Sequence, residues 1–334
     1  MTKAEVISPA GNLASLKAAV DSGADAVYLG FSDSTNARNF EGLNFTHEEI
    51  AEGIRHVRAK GKKFFVAVNT FPQTDACAKW RIAVDRAVEL GADAVIIANL
   101  GILKYARERH PGANLHLSTQ ASASNYESIN FYNRHFGIKR VVLPRVLTVR
   151  EIRELKKNTD VEIEVFALGG LCINIEGRCY LSSFVTGAST NTEGACSPSR
   201  FVRFAPTGGG GMTISLNNVL LNRLGPEEYS PYPTCCKGRY IRPGDETAYA
   251  IEDPESLNVL EILPGLIEAG VAAFKIEGRQ RTKSYVASMT GVLRQAIDSY
   301  YSSPSSYTVR PEWSARTVAS FEGSRETLGS YLVK

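Results

Sequence analysis

Residues 22–30 read SGADAVYLG, and this pattern returns at 90–99 (LGADAVIIAN), 136–145 (FGIKRVVLPR) and 269–278 (AGVAAFKIEG). In each copy a helix-like segment ends at a glycine, and a run rich in Val, Ile, Leu or Phe follows after a short gap. A glycine just past a helix end supplies a left-handed cap. A short apolar run without polar alternation is typical of a strand buried on both faces of a parallel sheet. Each copy therefore predicts a helix, a cap and a parallel strand.

Eight such strands are predicted, and helical segments lie between them, for example 46–59 (with Thr46 as N-cap), 77–90, 125–135 and 147–157. This alternation indicates βαβ units. Eight units favour a closed TIM-like (β/α) barrel of the α/β class, with an open sheet as the alternative. No Gly-x-Gly-x-x-Gly follows the first strand to indicate dinucleotide binding. The predicted strands are Glu5–Ser8, Ala26–Phe31, Lys63–Thr70, Ala94–Asn99, Asn114–Gln120, Arg140–Pro144, Glu162–Leu168 and Ala272–Glu277.

The alternation is interrupted once, after the seventh predicted strand. Residues 169–254 show little helical periodicity, and they follow a strand's C-terminal end, the face where barrel enzymes place their active sites. We therefore expect residues 1–168 and 255–300 to form the barrel, 169–254 an insertion before the last strand, and 301–334 a C-terminal tail. Within the insertion, TGGGGM (207–212) lacks the Gly-Lys-Ser/Thr of a phosphate loop and predicts a flexible turn.

Charge and hydropathy argue against nucleic acid and membrane partners. The net charge of +3 is small, and no run of Lys or Arg resembles a phosphate-tracking stripe. No segment approaches the roughly 18 consecutive apolar residues of a membrane span. The N-terminus also lacks the uninterrupted apolar region of a signal peptide. We therefore expect a cytoplasmic protein with no nucleic-acid partner and no membrane span.

Five of the six cysteines fall in the predicted insertion, which contains no histidine. In a reducing cytoplasm, clustered cysteines more often bind metal or do chemistry than form disulfides. A cysteine nucleophile would need a nearby imidazole base, which the insertion does not supply. Four sulfurs without histidine suit either structural zinc or an iron–sulfur cluster, and separate buried thiols are the remaining alternative. The five are Cys172, Cys179, Cys196, Cys235 and Cys236.

Basic residues lie beside these cysteines in the sequence, where cations would favour thiolates and offset the charge of a ligated cluster. They are Arg178, Arg200, Lys237 and Arg239.

Polar residues at the predicted strand ends form a second candidate site. Arginines there can bind carboxylates with two parallel hydrogen bonds, so Arg38 and Arg145 are favoured as ligand contacts, followed by Asn36 and Gln120. Histidine 116 lies inside a strand and is expected to pack rather than to act in catalysis. Of the strand-end set, Asn12 is more typical of a helix N-cap. The full set is Asn12, Asn36, Arg38, Asn69, Gln120, Arg145, Glu277 and Arg279.

Long blocks of the sequence resemble the collagenase-like peptidase family of bacterial proteins. Many members of that family, despite its name, act in hydroxylation of RNA bases or of ubiquinone precursors. Within the barrel the blocks are SPAGNLASLKAAVDSGADAVYLG (8–30), TNARNFEGLNFT (35–46), QASASNYESINFY (120–132), VVLPRVL (141–147) and FKIEGRQR (274–281). Within the insertion they are LCINIEGRCYLSS (171–183), NTEGACSPSRFVR (191–203) and YPTCCKGRY (232–240).

The resemblance implies one component of an oxygen-independent, anaerobic hydroxylase of ubiquinone precursors. It also implies a heterodimer with a similar protein, and prephenate as the oxygen donor. Matched motif by motif, the implied ligands of a [4Fe–4S] cluster are Cys172, Cys179, Cys196 and Cys236. The chain departs from the family pattern at Cys235, directly before Cys236, and we favour Cys236 as the ligand.

Two other functions remain open from the sequence. Hydroxylation of an RNA base by a sister protein of the family is the alternative, against which the near-neutral charge argues. A peptidase is the other, but the chain contains neither H-E-x-x-H nor G-x-S-x-G.

Overall fold

The computed structural model describes residues 3–228, 230–241, 243–244, 247–323 and 325–332, with only the backbone of His47. In chain order the strands are β1 (Glu5–Pro9), β2 (Ala26–Leu29), β3 (Lys63–Val68), β4 (Ala94–Ile97), β5 (Leu115–Leu117), β6 (Arg140–Val142), β7 (Glu162–Gly170), β8 (Val202–Pro206), β9 (Met212–Leu216), β10 (Val219–Leu224), β11 (Arg239–Ile241), β12 (Thr247–Tyr249), β13 (Glu255–Asn258), β14 (Val271–Ile276) and β15 (Arg325–Thr327). The helices are α1 (Leu13–Asp21), α2 (His47–Ala59), α3 (Cys77–Glu89), α4 (Leu100–Arg109), α5 (Tyr126–Phe136), α6 (Val149–Lys157), α7 (Tyr180–Thr186), α8 (Thr190–Glu193), α9 (Leu263–Glu268), α10 (Lys283–Ser302) and α11 (Pro311–Val318).

Strands β1 to β7 and β14 form a closed parallel barrel. Each of β1 to β6 pairs with the next strand in chain order, and β14 pairs in parallel with both β7 and β1. The predicted closed α/β barrel of eight strands is therefore confirmed. Several strands end two or three residues before the predicted point. At the end of β3, for example, the Thr70 N–H donates to the loop carbonyl of Thr35 at 3.3 Å instead of to a neighbouring strand.

The helix ends follow the predicted chemistry. Glycines 23, 91, 137 and 270 all have positive φ, as the left-handed caps require. Thr46 is the N-cap of α2, and Asn12 caps α1 by accepting the Ser15 N–H at 2.8 Å. Among the described helices, none is long and apolar enough to cross a membrane.

The barrel interior combines a small apolar cluster with buried charges. Glu164 accepts from Lys275 at 2.7 Å and from Arg140 at 3.4 Å, and all three side chains are almost fully buried. His116 packs edge-on against Phe65 with ring centroids 4.9 Å apart, and burial holds the pKa of its imidazole well below the usual range. The expectation that His116 packs inside the fold is confirmed. The apolar members are Ile7, Ala26, Tyr28, Phe65, Ala94, Ile96 and Ala273.

Residues 169–254 contain α7, α8 and two small antiparallel sheets, β8–β9–β10 and β11–β12. The glycine segment 207–212 forms the predicted turn, between β8 and β9. Cys235 packs with Leu216 and Leu221 in an apolar cluster that belongs to this region. The insertion therefore has its own small core above the barrel.

The C-terminal tail, 301–334, packs against the barrel. Trp313 of α11 is completely buried, and β15 pairs in parallel with β13, which in turn pairs antiparallel with the end of β7. Residues 324, 333 and 334 of the predicted tail lie outside the described residues. The tail thus reaches the same end of the barrel as the insertion, where β7 ends.

Replacing Glu164 by Gln should destabilise the protein by about 3–5 kcal/mol, because it leaves Lys275 buried without its anion. Urea unfolding at neutral pH measures this change in the free energy of unfolding. The matched control is Glu154→Gln, which removes an ion pair to Lys157 whose two side chains are both 63% exposed. Solvent screens an exposed pair of this kind, so its loss should change the free energy of unfolding very little, and equal effects of the two substitutions would contradict the role given to Glu164.

Candidate functional site

Two adjoining cavities lie at the C-terminal ends of the barrel strands. The barrel-mouth cavity holds about 560 Å³ of space and is lined by Tyr28, Lys275, Arg279 and other strand-end residues. The cysteine cavity holds about 940 Å³ and lies between the barrel and the insertion. A shared wall separates the two, formed by Ala37, Arg38, Gln120, Glu176 and Glu277.

All five cysteines of the insertion line the cysteine cavity, and all are free thiols. Cys172 lies two residues after the end of β7, and Cys179 caps α7 by accepting the Ser182 N–H at 3.4 Å. Cys196 follows α8, and Cys236 lies next to Thr234, with Sγ and Oγ1 3.2 Å apart. Separate segments of irregular chain therefore bring the thiols to one cavity.

Burial keeps four of these thiols protonated at neutral pH. It raises the pKa of Cys172 to about 12 and that of Cys235 to about 11, and it also raises the pKa values of Cys196 and Cys236. Within the described part of the chain, no three Cys, His, Asp or Glu side chains are grouped closely enough to surround one metal ion. Because a thiolate is the form that binds metals, ligation here would have to release protons.

Two cations from the barrel act on the thiols. Arg38 opposes the effect of burial on Cys196, and Arg145 does so for Cys172. Most of the basic residues adjacent in sequence are used elsewhere: Arg200 pairs with Glu193, Arg239 pairs with Glu228, and Arg178 stacks on Phe71. Sequence proximity to a cysteine was thus a poor guide to proximity in space.

Lys237 is the exception, since it is buried and lines the cysteine cavity. Its Nζ donates to Glu322 of the tail at 2.8 Å, and the other carboxylate oxygen of Glu322 accepts the Tyr232 N–H at 2.7 Å. The tail therefore anchors the segment that carries Cys236. Sequence reasoning missed Glu322, because no local motif marks a residue 85 positions away from its partner.

The two favoured arginines are already bound to protein carboxylates. Arg145 donates to Glu176 through Nε at 2.9 Å and Nη2 at 3.0 Å, and it stacks on Phe166 at 4.4 Å. Arg38 donates through Nε to Glu277 at 3.2 Å. Burial alone would raise the pKa of the Glu277 carboxyl, but Arg38 and Arg145 outweigh it and hold that pKa below its usual range.

The predicted amide residues differ in their surroundings. Asn36 is completely buried, lines neither cavity, and donates to the Phe31 carbonyl at 2.6 Å while accepting from Arg279 at 2.9 Å. Asn69 accepts the Ala37 N–H at 2.9 Å and so supports the loop that carries Arg38. Gln120 lines both cavities. Of the four residues predicted to bind substrate, Arg38, Arg145 and Gln120 reach a cavity.

The sequence profile of peptidase family U32 matches residues 11–332. The chain therefore belongs to peptidase family U32. One relative is the tRNA hydroxylation protein P1 of Bacillus subtilis, 33% identical over 311 residues, which are 93% of this chain and 67% of the relative. Another is the tRNA hydroxylation protein P of Escherichia coli, 33% identical over 314 residues, 89% of this chain and 68% of the relative. The chain thus spans about two thirds of the length of both.

The 23S rRNA 5-hydroxycytidine C2501 synthase of Escherichia coli is 31% identical over 297 residues, 88% of this chain and 39% of that protein. A solved U32 peptidase structure superposes with a TM-score of 0.51 at 12% identity, covering 84% of this chain and 94% of the other. At that identity the structural likeness supports the fold alone.

Replacing Gly194 by Ala should disturb the cysteine cavity. Its φ is +83°, its carbonyl accepts the Arg38 N–H at 2.7 Å, and an added Cβ would collide with the backbone oxygen of Asn36. We expect a loss of about 2–4 kcal/mol in the free energy of unfolding. The matched control is Gly187→Ala, also at positive φ (+69°) but with open space around the new Cβ. It should lose only about 1 kcal/mol in the same urea titration, and equal losses would show that Gly194 makes no special contact.

Proposed function

We propose that the chain is the iron–sulfur component of an oxygen-independent hydroxylase. Its [4Fe–4S] cluster would be held by Cys172, Cys179, Cys196 and Cys236. The observation that carries this proposal is that these four thiols line one cavity at the end of the barrel where enzymes of this fold place their chemistry. Hydroxylation proteins among the relatives of the chain support the reaction class.

The chemistry of the cavity fits a cluster. The candidate donors are all sulfur, which is the ligand set of [4Fe–4S] centres. A single tetrahedral zinc would need its four sulfurs about 3.8 Å apart, whereas the thiolates of a four-iron cluster bind different metal atoms and lie farther apart. Arg38, Arg145 and Lys237 would offset the negative charge of the ligated thiolates. A bound cluster would supply either electron transfer or a binding site for the oxygen donor.

The surroundings of the adjacent cysteines favour Cys236 as the fourth ligand. Cys235 is 4% exposed and packs with Leu216 and Leu221, and its carbonyl accepts from the Tyr240 hydroxyl at 2.7 Å. Moving this side chain to a metal would open a hole in the core of the insertion. Cys236 is less buried and has no such packing role in that cluster.

The shared wall would hold a substrate beside the cluster. Arg38 and Glu277 form an ion pair there, and the Gly170 N–H also donates to Glu277 at 3.3 Å. Because Gly170 lies two residues before Cys172, this carboxylate connects the end of β14 to the start of the cysteine segment. The wall thus fixes the position of the thiols relative to the barrel mouth.

The proposed substrate is a ubiquinone precursor, with prephenate as oxygen donor. The blocks around the cysteines and VVLPRVL (141–147) resemble UbiU within the family. We therefore propose a UbiU-like role in a heterodimer with a UbiV-like protein. Hydroxylation of an RNA base is the second candidate, and the names of the tRNA and rRNA hydroxylation relatives favour it.

Single replacement of Cys172, Cys179, Cys196 or Cys236 by Ala should abolish the cluster, because each removes one of four ligands. Anaerobically purified protein should contain about four irons per chain, and each variant should lose most of the iron and the visible absorption. Cys235→Ala is the matched control and should keep both. Wild-type protein with no iron and stoichiometric zinc would reject the cluster. Loss of iron only in the Cys235 variant would reassign the fourth ligand.

A strain that lacks the gene should accumulate unhydroxylated ubiquinone precursors during anaerobic growth and keep its RNA modifications. Mass spectrometry of quinones and of digested tRNA and rRNA measures both in one culture. Complementation with the Cys235→Ala gene should restore quinone synthesis, whereas complementation with the Cys172→Ala gene should not. Normal anaerobic quinone together with a missing base modification would instead establish the second candidate.

A further inference from the structure

The polar side chains that line the barrel-mouth cavity are nearly all satisfied within the protein. Asn69 donates to Ser118 at 3.1 Å, and the Tyr28 hydroxyl donates to the Ile276 carbonyl at 2.8 Å. Three of the four cations are matched by carboxylates. These ion pairs are Arg38 with Glu277, Arg145 with Glu176, and Lys275 with Glu164.

Arg279 is the fourth cation and lacks such a partner. It is 3% exposed, and its Nη1 donates only to neutral acceptors, Asn36 at 2.9 Å and Asn44 at 3.5 Å. Its Nε has no hydrogen-bond partner, and no ion pair involves it among the described residues. Burial lowers the pKa of this guanidinium to about 10. Glu277 favours its charge without a direct ion pair, and the Tyr28 ring centroid lies 5.8 Å from its Cζ. A buried cation without a directly paired anion is costly, and an anion in the cavity would lower that cost.

Gln120 is the second side chain of the barrel-mouth cavity that is not fully hydrogen-bonded within the protein. It is 4% exposed, and within the described part of the chain its amide oxygen Oε1 is buried without a hydrogen-bond partner. The side chain belongs to the wall between the two cavities, so a ligand that contacts it lies next to the cysteines. Native proteins pair nearly all buried polar groups, and an unpaired amide that faces a cavity is therefore available to a ligand.

Close backbone contacts hold Arg279 in one position. A Cβ on Gly30 would lie 2.6 Å from its Nη1, and a Cβ on Gly11 would collide with its carbonyl oxygen. The backbone of Arg279 is thus held against the end of β1 and its guanidinium against the end of β2 before any ligand arrives. Such preorganisation lowers the entropic cost of binding.

We propose that Arg279 and Gln120 form the ligand-recognition site of the barrel mouth and bind a small hydroxy-carboxylate. The guanidinium would bind the carboxylate, for which its planar donors are suited. A hydroxyl can donate and accept, so it pairs with the Gln120 amide in either orientation. The proposal depends on the proposed function only for the choice of prephenate as the first ligand to test.

Calorimetric titration of prephenate into the anaerobically purified, iron-loaded protein tests the site. Arg279→Gln should weaken binding roughly 100-fold and Arg279→Lys roughly tenfold, because charge-assisted hydrogen bonds are lost or reduced. Gln120→Met should weaken prephenate binding about fivefold. It should leave unchanged the binding of phenylpyruvate, which keeps a carboxylate but lacks the hydroxyl.

The matched control is Arg281→Gln. Arg281 follows Arg279 by two positions but donates to the Ser320 carbonyl at 2.6 Å and does not line the barrel-mouth cavity. This variant should bind prephenate as the wild type does. Circular dichroism and iron content confirm that each variant is folded and loaded. Should Arg279→Gln fail this check, Arg279→Lys and Gln120→Met decide the question.

The outcomes separate this site from the proposed function. If the wild type binds prephenate and the folded Arg279 and Gln120 variants bind it equally well, the site is wrong while the proposed donor stands. If the wild type does not bind prephenate but binds citrate or malate in an Arg279-dependent manner, the proposed site stands and prephenate is rejected as the oxygen donor. If none of the three acids binds, the site is rejected.

Discussion

The pairing of β14 with both β1 and β7 is the constraint on which the rest of the structure depends. Closure brings the C-terminal ends of all eight strands to one rim, and it places Glu277 and Arg279, which follow β14, in contact with Arg38 and Asn36 of the loop after β2. Glu277 contacts both Arg38, in the loop after β2, and the Gly170 N–H, at the end of β7, because β14 pairs with β1 on one side and β7 on the other. An open sheet of the same strands would keep only one of these two contacts.

Closure also determines how charge is distributed inside the fold. Each of Lys275, Arg145 and Arg38 is neutralised by a carboxylate from another strand or loop, as buried cations generally must be. The pairing extends to the insertion, where Lys237 meets Glu322 from the tail. Against this background Arg279 is unusual, since its guanidinium donates hydrogen bonds to neutral amides and forms no direct ion pair among the described residues. The cations that are paired with carboxylates have structural roles. Arg279, which forms no such pair, is available to a ligand.

Much of the site could be predicted from sequence, but not its internal pairing. The cysteine segment, its position after a barrel strand and the polar strand ends were all readable from residue type and order. The role of each arginine was not readable, because Arg38 and Arg145 resemble free carboxylate binders until their partners are known. Glu176 and Glu322, which bind Arg145 and Lys237, lie in an irregular loop and in the tail, where periodicity carries no information.

The sequence by itself determined the barrel, its helix caps and the all-sulfur character of the cysteine segment. These features depend on local chemistry: glycine at positive φ, apolar runs of strand length, and the absence of histidine between residues 169 and 254. Only the tertiary structure decided which cations face the thiols, why Cys235 packs with Leu216, and that Arg279 lacks an anion. Those properties depend on distances between residues that are far apart in the chain. Burial and barrel closure fix these distances, and no local sequence pattern encodes them.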